Sequence, residues 1–179
     1  WRRGSTDRTG RVSAERTPRL LVITPAYPPA LGGIQLLCSR LVEHLADADV
    51  TVVAPAADGT ALEPHVRRAP KATRALPAPD GLDELRCVVR ADIAAPQHAL
   101  EVFVTHLNWR MDQSDVRQDQ VRSICEFVAE TRDRREFPPV LCGDFNAVPD
   151  SEEIRMLTGL TTVPVPKLVF IDAWRAGGD

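Results

Sequence analysis

Lysine is nearly missing from this sequence, and positive charge is not in excess. Lys71 and Lys167 are the only lysines, and the 22 Lys and Arg residues are outnumbered by 25 Asp and Glu residues. The net charge of -3 excludes a global basic field of the kind that holds nucleic acid without sequence preference. Long nucleic acid is therefore mildly disfavoured as a partner, and a phosphate-bearing substrate needs a local site.

The sequence also has few cysteines and no long apolar run. Its 4 cysteines include no CxxC pair, so neither a zinc knuckle nor a disulfide framework is predicted, and reduced, mostly buried thiols are expected. No run approaches the ~18 apolar residues of a membrane span, and the N-terminus lacks the apolar stretch of a signal peptide. We therefore expect no membrane span and a cytoplasmic location.

The composition is otherwise that of a globular protein. Apolar residues make up 44% and charged residues 26% of the 179 residues, a length that fits about one domain. Changes in pattern along the chain divide it into four predicted segments. They are a disordered tail at 1–17, a βαβ unit at 18–58, a Pro/Ala/Arg-rich linker at 59–81 and an α/β segment at 82–179.

The pattern of residues 18–58 predicts one βαβ unit. Apolar runs with β-branched residues at 19–24 and 50–54 predict two buried strands, with a helix between them from about Gly33 to Ala46. A right-handed crossover makes such strands parallel. Four apolar residues at helical spacing form the predicted buried face of the helix: Ile34, Leu37, Leu41 and Leu45.

The segment 82–179 alternates strands and helices. Its central helix is predicted to turn Arg117, Asp119 and Arg122 towards solvent, and Ser151 is a predicted N-cap of the next helix. The predicted elements are hairpin strands at 85–93 and 100–107, a helix at 116–131, a buried strand at 138–142, a helix at 151–157 and either a strand or a helix at 169–175.

Two polar residues follow the predicted strand at 138–142 and carry the strongest chemical signal. Asp144 and Asn146 stand two positions apart, so in an extended segment their side chains point to one side. A carboxylate binds Mg²⁺ or accepts a proton from water, whereas an amide binds a metal through oxygen or donates to a phosphate through nitrogen. The pair suits hydrolysis of a phosphate ester, and a simple turn is the alternative.

A histidine ends another predicted strand. His106 follows the apolar run Val102-Phe-Val104, much as Asp144 follows Val140-Leu141. If the two strands are neighbours, His106 lies at the same edge as Asp144 and can donate a hydrogen bond to a phosphoryl oxygen. A histidine with a purely structural role is the alternative.

These motifs resemble the endonuclease/exonuclease/phosphatase superfamily in order and spacing. The resemblance rests on Thr105-His106-Leu107, the helix with Arg117 and Gln120, Cys142-Gly-Asp-Phe-Asn146, Pro149–Ile154 and Asp172–Arg175. It implies a β-sandwich flanked by helices and a Mg²⁺- or Mn²⁺-assisted attack of water on a phosphodiester or phosphomonoester. It also implies three catalytic roles: Asp144 orients or deprotonates the water and in some members touches a second metal, Asn146 holds the phosphate or metal, and His106 contacts the scissile phosphate.

The sequence departs from this family at both ends of the segment. The family's N-terminal Asn, its metal-binding Glu and its C-terminal Asp-His pair have no counterpart here. Glu63, Glu84 and Glu101 are the acidic residues available to replace the missing Glu. We therefore expect an incomplete metal centre and absent or very weak hydrolysis, and a fragment or a fusion of two reading frames is one interpretation of the chain.

Residues 19–58 resemble a different family, the start of a retaining GT-B glycosyltransferase. The resemblance rests on Ile23-Thr-Pro-Ala-Tyr-Pro-Pro-Ala-Leu-Gly-Gly-Ile34, in which Gly32 and Gly33 would let the backbone approach the diphosphate of a nucleotide sugar. A packing turn is the alternative. The whole chain is thus predicted as a partial phosphoesterase-type β-sandwich after a Rossmann-like βαβ unit, with a nucleotide-sugar-binding remnant and a non-catalytic α/β domain as alternative functions.

Overall fold

A computed structural model describes residues 17–25, 27–28, 33–45, 47–55, 66–68, 73–78, 86–94, 99–133 and 137–177. The strands and helices within this part confirm the predicted α/β class. In chain order they are β1 Arg19–Ile23, α1 Gly33–Glu43, β2 Asp49–Ala54, β3 Val66–Arg68, β4 Thr73–Ala75, β5 Cys87–Ala94, β6 Ala99–His106, α2 Ser114–Thr131, β7 Val140–Asp144, α3 Glu152–Thr158 and α4 Ala173–Gly177.

The first sheet is parallel and has the order β1-β2-β3. The predicted parallel βαβ unit is therefore confirmed, but its predicted burial is partly wrong. Leu37 and Leu41 are 66% and 54% exposed, whereas Cys38 and Val42 pack against the small core of this sheet. The helix carries apolar residues on several faces, so spacing alone did not identify the buried one. In β1, Leu20 and Leu21 are exposed too, although a buried strand was predicted.

Two short strands lie within the stretch that was predicted to be a linker. β3 pairs in parallel with β2, and β4 pairs antiparallel with β5. Each strand has three residues, which is too short for a periodic pattern to show in the sequence. The stretch therefore contributes one strand to each sheet, while the division of the chain into domains stays a prediction.

The second sheet has the order β4-β5-β6-β7 and carries the main core. β5 and β6 form the predicted antiparallel hairpin, and β7 runs parallel to β6. Helix α2 packs on one face of this sheet, where the rings of Phe103 and Phe127 meet edge to face at 5.8 Å. The Cys87 thiol also contacts the Pro25 carbonyl oxygen at 3.5 Å, a contact between this sheet and the N-terminal segment.

Several predictions for this half need correction. The predicted buried strand is β7, which lies at the sheet edge with Val140 and Cys142 exposed, because within the described part it pairs only with β6. Arg117 does not face solvent but is 5% exposed. Ser151 is the N-cap residue of α3, as predicted, but its hydroxyl donates to the Val148 carbonyl and makes no capping hydrogen bond.

Two further predictions concern the burial of the cysteines and the secondary structure of residues 169–175. All four cysteines are free, but only Cys125 is fully buried, so the expectation of mostly buried thiols is wrong. Residues 169–175, left open between strand and helix, lead into the short helix α4. The β-sandwich implied by the family resemblance stays a prediction.

Candidate functional site

The parallel pairing of β6 and β7 brings two strand ends to one edge of the second sheet. His106 and Asp144 are direct register partners, and the Leu107 N–H donates to the Asp144 carbonyl at 2.9 Å. Gly143 makes this approach possible, because it has φ +137° and a Cβ there would lie 1.9 Å from the Thr105 carbonyl oxygen. Only glycine fits both the space and the backbone angle at this position.

The side chains at the strand ends are adjacent. His106 Nε2 lies 3.8 Å from Asp144 Oδ2, and the two side chains are 15% and 64% exposed. A mostly buried imidazole thus stands beside an open carboxylate. The predicted neighbourhood of His106 and Asp144 is confirmed, while their catalytic roles stay predictions.

Asn146 joins the same edge through two hydrogen bonds. Its backbone N–H donates to Asp144 Oδ1 at 2.9 Å, and its side-chain Nδ2 donates to the Leu107 carbonyl at 3.0 Å. The residue has φ +47°, a left-handed conformation that Asn tolerates better than most residues. The turn that was the alternative interpretation is therefore present, and the Asn146 side chain keeps its amide oxygen and the second N–H of Nδ2 for a ligand.

Arg86 is a neighbour of the site that the sequence did not reveal. Its Nη1 lies 3.0 Å from Nδ1 of His106. Arg86 directly precedes β5, and the hairpin register sets that end of β5 beside the end of β6. The hairpin prediction contained this signal, because pairing the predicted strands 85–93 and 100–107 sets Arg86 beside the strand end that carries His106.

A buried ion pair holds the two loops that carry the site. Arg117 Nε donates to Glu153 Oε1 at 2.5 Å, and Arg117 Nη1 donates to the Arg110 carbonyl in the loop after β6. Glu153 is fully buried at the start of α3, which follows the loop of Asn146. Burial acts to raise the pKa of Glu153, but hydrogen bonds from Arg117, its own backbone and Ser114, with the Arg117 charge, lower it overall. One ion pair therefore fixes both loops.

The described residues do not fit a resident Mg²⁺ or Mn²⁺. Among them no group of three His, Cys, Asp or Glu side chains converges as a metal site. Glu101, a proposed replacement ligand, lies at the opposite end of β6 from His106 and pairs with Arg90 at 2.7 Å. Glu63 and Glu84 lie outside the described residues. Asp144 and Asn146 alone are few protein ligands for tight binding of Mg²⁺, which keeps most of its waters.

The predicted anion site of the N-terminal unit is only partly described. Gly33 begins α1, and a Cβ built there meets no atom within 4 Å. Gly32 lies outside the described residues, so a role of the glycine pair towards a nucleotide sugar stays a prediction. No helix in the described ranges has the length and apolar character that a membrane crossing requires.

Comparison with known proteins gives a partial likeness to solved structures. No protein-family model and no curated protein matches the chain. Among solved structures it is similar to the human Nocturnin catalytic domain with bound sulfate anion, a fold of endonuclease/exonuclease/phosphatase type, at 17% identity and a TM-score of 0.34. The match covers 48% of this chain and 33% of that chain. No comparison supports the glycosyltransferase resemblance.

Proposed function

We propose that this chain binds a phosphate ester at the edge formed by His106, Asp144 and Asn146, and that it hydrolyses phosphodiesters or phosphomonoesters very weakly or not at all. The observation that carries the proposal is the 3.8 Å separation of His106 Nε2 and Asp144 Oδ2 at the ends of two parallel strands. The C-terminal edge of parallel strands is a common place for ligand sites in α/β proteins.

Each of the three residues has a chemical task in this proposal. His106 donates a hydrogen bond to a phosphoryl oxygen. Because its side chain is mostly buried, water is largely excluded there and this hydrogen bond is stronger than it would be in solvent. Asp144 is open to solvent, so its carboxylate can orient a water molecule and accept its proton. Asn146 holds the Asp144 carboxylate in place through its backbone N–H.

The expected weakness follows from the ligands that are missing. A divalent metal contributes several kcal/mol of charge stabilisation to phosphoester hydrolysis, and each ~1.4 kcal/mol is a factor of ten in rate. At this edge the described residues supply one open carboxylate to such an ion, that of Asp144. The net charge of -3 favours a small phosphate ester over long nucleic acid.

Steady-state hydrolysis of bis(p-nitrophenyl) phosphate, with Mg²⁺, with Mn²⁺ and with EDTA, tests the proposal. Hydrolysis is expected to be very weak or absent under all three conditions, and any trace of activity should disappear in Asp144→Ala. Asp119→Ala is a matched control, because Asp119 is exposed on α2 and pairs there with Arg122. Activity that survives in Asp144→Ala would place the chemistry elsewhere, and a turnover near ~10 s⁻¹, typical of enzymes, would contradict an incomplete centre.

Binding is tested separately, because hydrolysis can be too slow to detect. Dimethyl phosphate added to the full chain should shift the NMR signals of His106 and Asn146 in a saturable way. The same titration on His106→Gln should weaken binding. If the wild-type signals do not move at millimolar ligand, the proposed phosphate site is wrong.

A further inference from the structure

The contact between Arg86 and His106 determines which ring nitrogen carries the proton. Arg86 Nη1 lies 3.0 Å from His106 Nδ1. A guanidinium group has five N–H donors, no acceptor, and stays protonated in proteins. Nδ1 must therefore accept with its lone pair, and the proton of the neutral ring sits on Nε2, the nitrogen that faces Asp144.

The backbone around Arg86 is held firmly beside the histidine. The Leu76 N–H donates to the Arg86 carbonyl at 2.8 Å, and the Thr105 hydroxyl donates to the Cys87 carbonyl at 3.0 Å. These bonds tie the start of β5 to β4 on one side and to β6 on the other. The guanidinium therefore extends to His106 from backbone that hydrogen bonds hold in place on both sides.

We propose that Arg86 is a positioning residue that holds His106 in the Nε2–H form, so that the ring presents a hydrogen-bond donor to a phosphate oxygen. This inference rests on the proposed function. A carboxylate partner at Nδ1 would do the opposite. It accepts a hydrogen bond from Nδ1–H and so leaves Nε2 with a basic lone pair. With arginine as the partner, His106 is a donor, and Asp144 is the only one of the two that can act as a base.

The tautomer is measured directly by long-range ¹H–¹⁵N NMR of ¹⁵N-histidine-labelled full chain at about pH 8, above the ordinary histidine pKa of ~6.5. The spectrum distinguishes ring nitrogens with a proton from those with a lone pair, and His106→Gln assigns the His106 signals among the 4 histidines. Wild type and Arg86→Lys, which keeps a donor, should show Nδ1 as a lone pair. Arg86→Glu, which supplies an acceptor, should move the proton to Nδ1.

Binding of dimethyl phosphate gives the second readout. Arg86→Glu should bind at least about tenfold more weakly than wild type, the size of a lost hydrogen bond to a charged group. Arg122→Glu makes the same charge change at an exposed site on α2 and should leave binding nearly unchanged. Arg86→Lys should recover most of the affinity.

The outcomes separate this inference from the proposed function. A protonated Nδ1 in wild type, or the same tautomer in wild type and Arg86→Glu, overturns the role of Arg86. If Arg86→Glu does not fold, Arg86→Gln replaces it and should give a mixture of tautomers, and a wild-type spectrum there also overturns the inference. If no variant and no wild type binds phosphate, the proposed function fails, while the ligand-free spectra still decide the tautomer.

Discussion

Replacing Gly143 with alanine should break the junction on which the site depends. A Cβ at this position would lie 1.9 Å from the Thr105 carbonyl oxygen, so β6 and β7 would have to separate by about 1 Å or more. The backbone angle of φ +137° adds strain for any residue with a side chain. A residue in such a region costs about 1–3 kcal/mol, and overpacking costs about 1–3 kcal/mol more.

The lower limits of these two costs together make about 2 kcal/mol. For a chain of this size that corresponds to a fall in melting temperature of about 4–8 °C. Thermal unfolding measures the fall, and hydrogen exchange of the Leu107 amide should speed up, because that N–H is bonded to Asp144 across the junction. Gly177→Ala is the control, since a Cβ there meets nothing within 4 Å. A melting temperature for Gly143→Ala within ~1 °C of wild type, with a protected Leu107 amide, would refute the close pairing of the two strands.

Two other perturbations give further tests. Glu153→Gln should lower the free energy of unfolding in urea by about 3–5 kcal/mol, because it leaves the buried charge of Arg117 without an opposite charge; an effect under ~1 kcal/mol would mean that the pair is not desolvated. The pKa of Glu153 in the folded state lies below the ordinary 4.5, so its contribution to stability is present above about pH 4.5 and is lost as the pH falls through the folded pKa. Glu153→Gln should therefore reduce the dependence of the unfolding free energy on pH in acid. In thiol labelling near pH 8 the exposed Cys142 should react before Cys125, because burial raises the pKa of Cys125 to about 12; equal rates would contradict the packing of α2.

The site was predictable from the sequence to the extent that local rules determine it. One apolar run is followed by a glycine and then by Asp144 and Asn146, and another apolar run is followed by His106. This pattern predicted two strand ends that carry polar side chains. Parallel neighbours place such ends at one edge, and that is where the two side chains lie. The hairpin before them followed from two apolar runs separated by a turn-like stretch.

What the sequence did not predict depends on contacts between distant segments. Arg117 was expected in solvent because charged residues usually are, but its partner Glu153 lies 36 residues further along the chain. The wrong helix face in the N-terminal unit has the same cause, since Leu37 and Cys38 are both apolar and only the position of the sheet decides between them. β7 was expected to be buried because an apolar run does not reveal whether a strand is central or at an edge.

The surroundings of His106 and Asp144 explain why binding and turnover should depend on different residues. Asp144 is the exposed member and accepts one hydrogen bond from the Asn146 backbone, so its replacement should leave the fold almost unchanged while it removes the proposed base. His106 is mostly buried beside Arg86 at the strand end, and in the proposed site it donates a hydrogen bond to the phosphate. At Nδ1 of His106 a carboxylate would make Nε2 basic, but Arg86 occupies that position. This agrees with the small number of metal ligands among the described residues, since both features favour binding over catalysis. In the proposed site both features favour binding of a phosphate over its hydrolysis, because neither adds to Asp144 a further negative charge that could hold a cation.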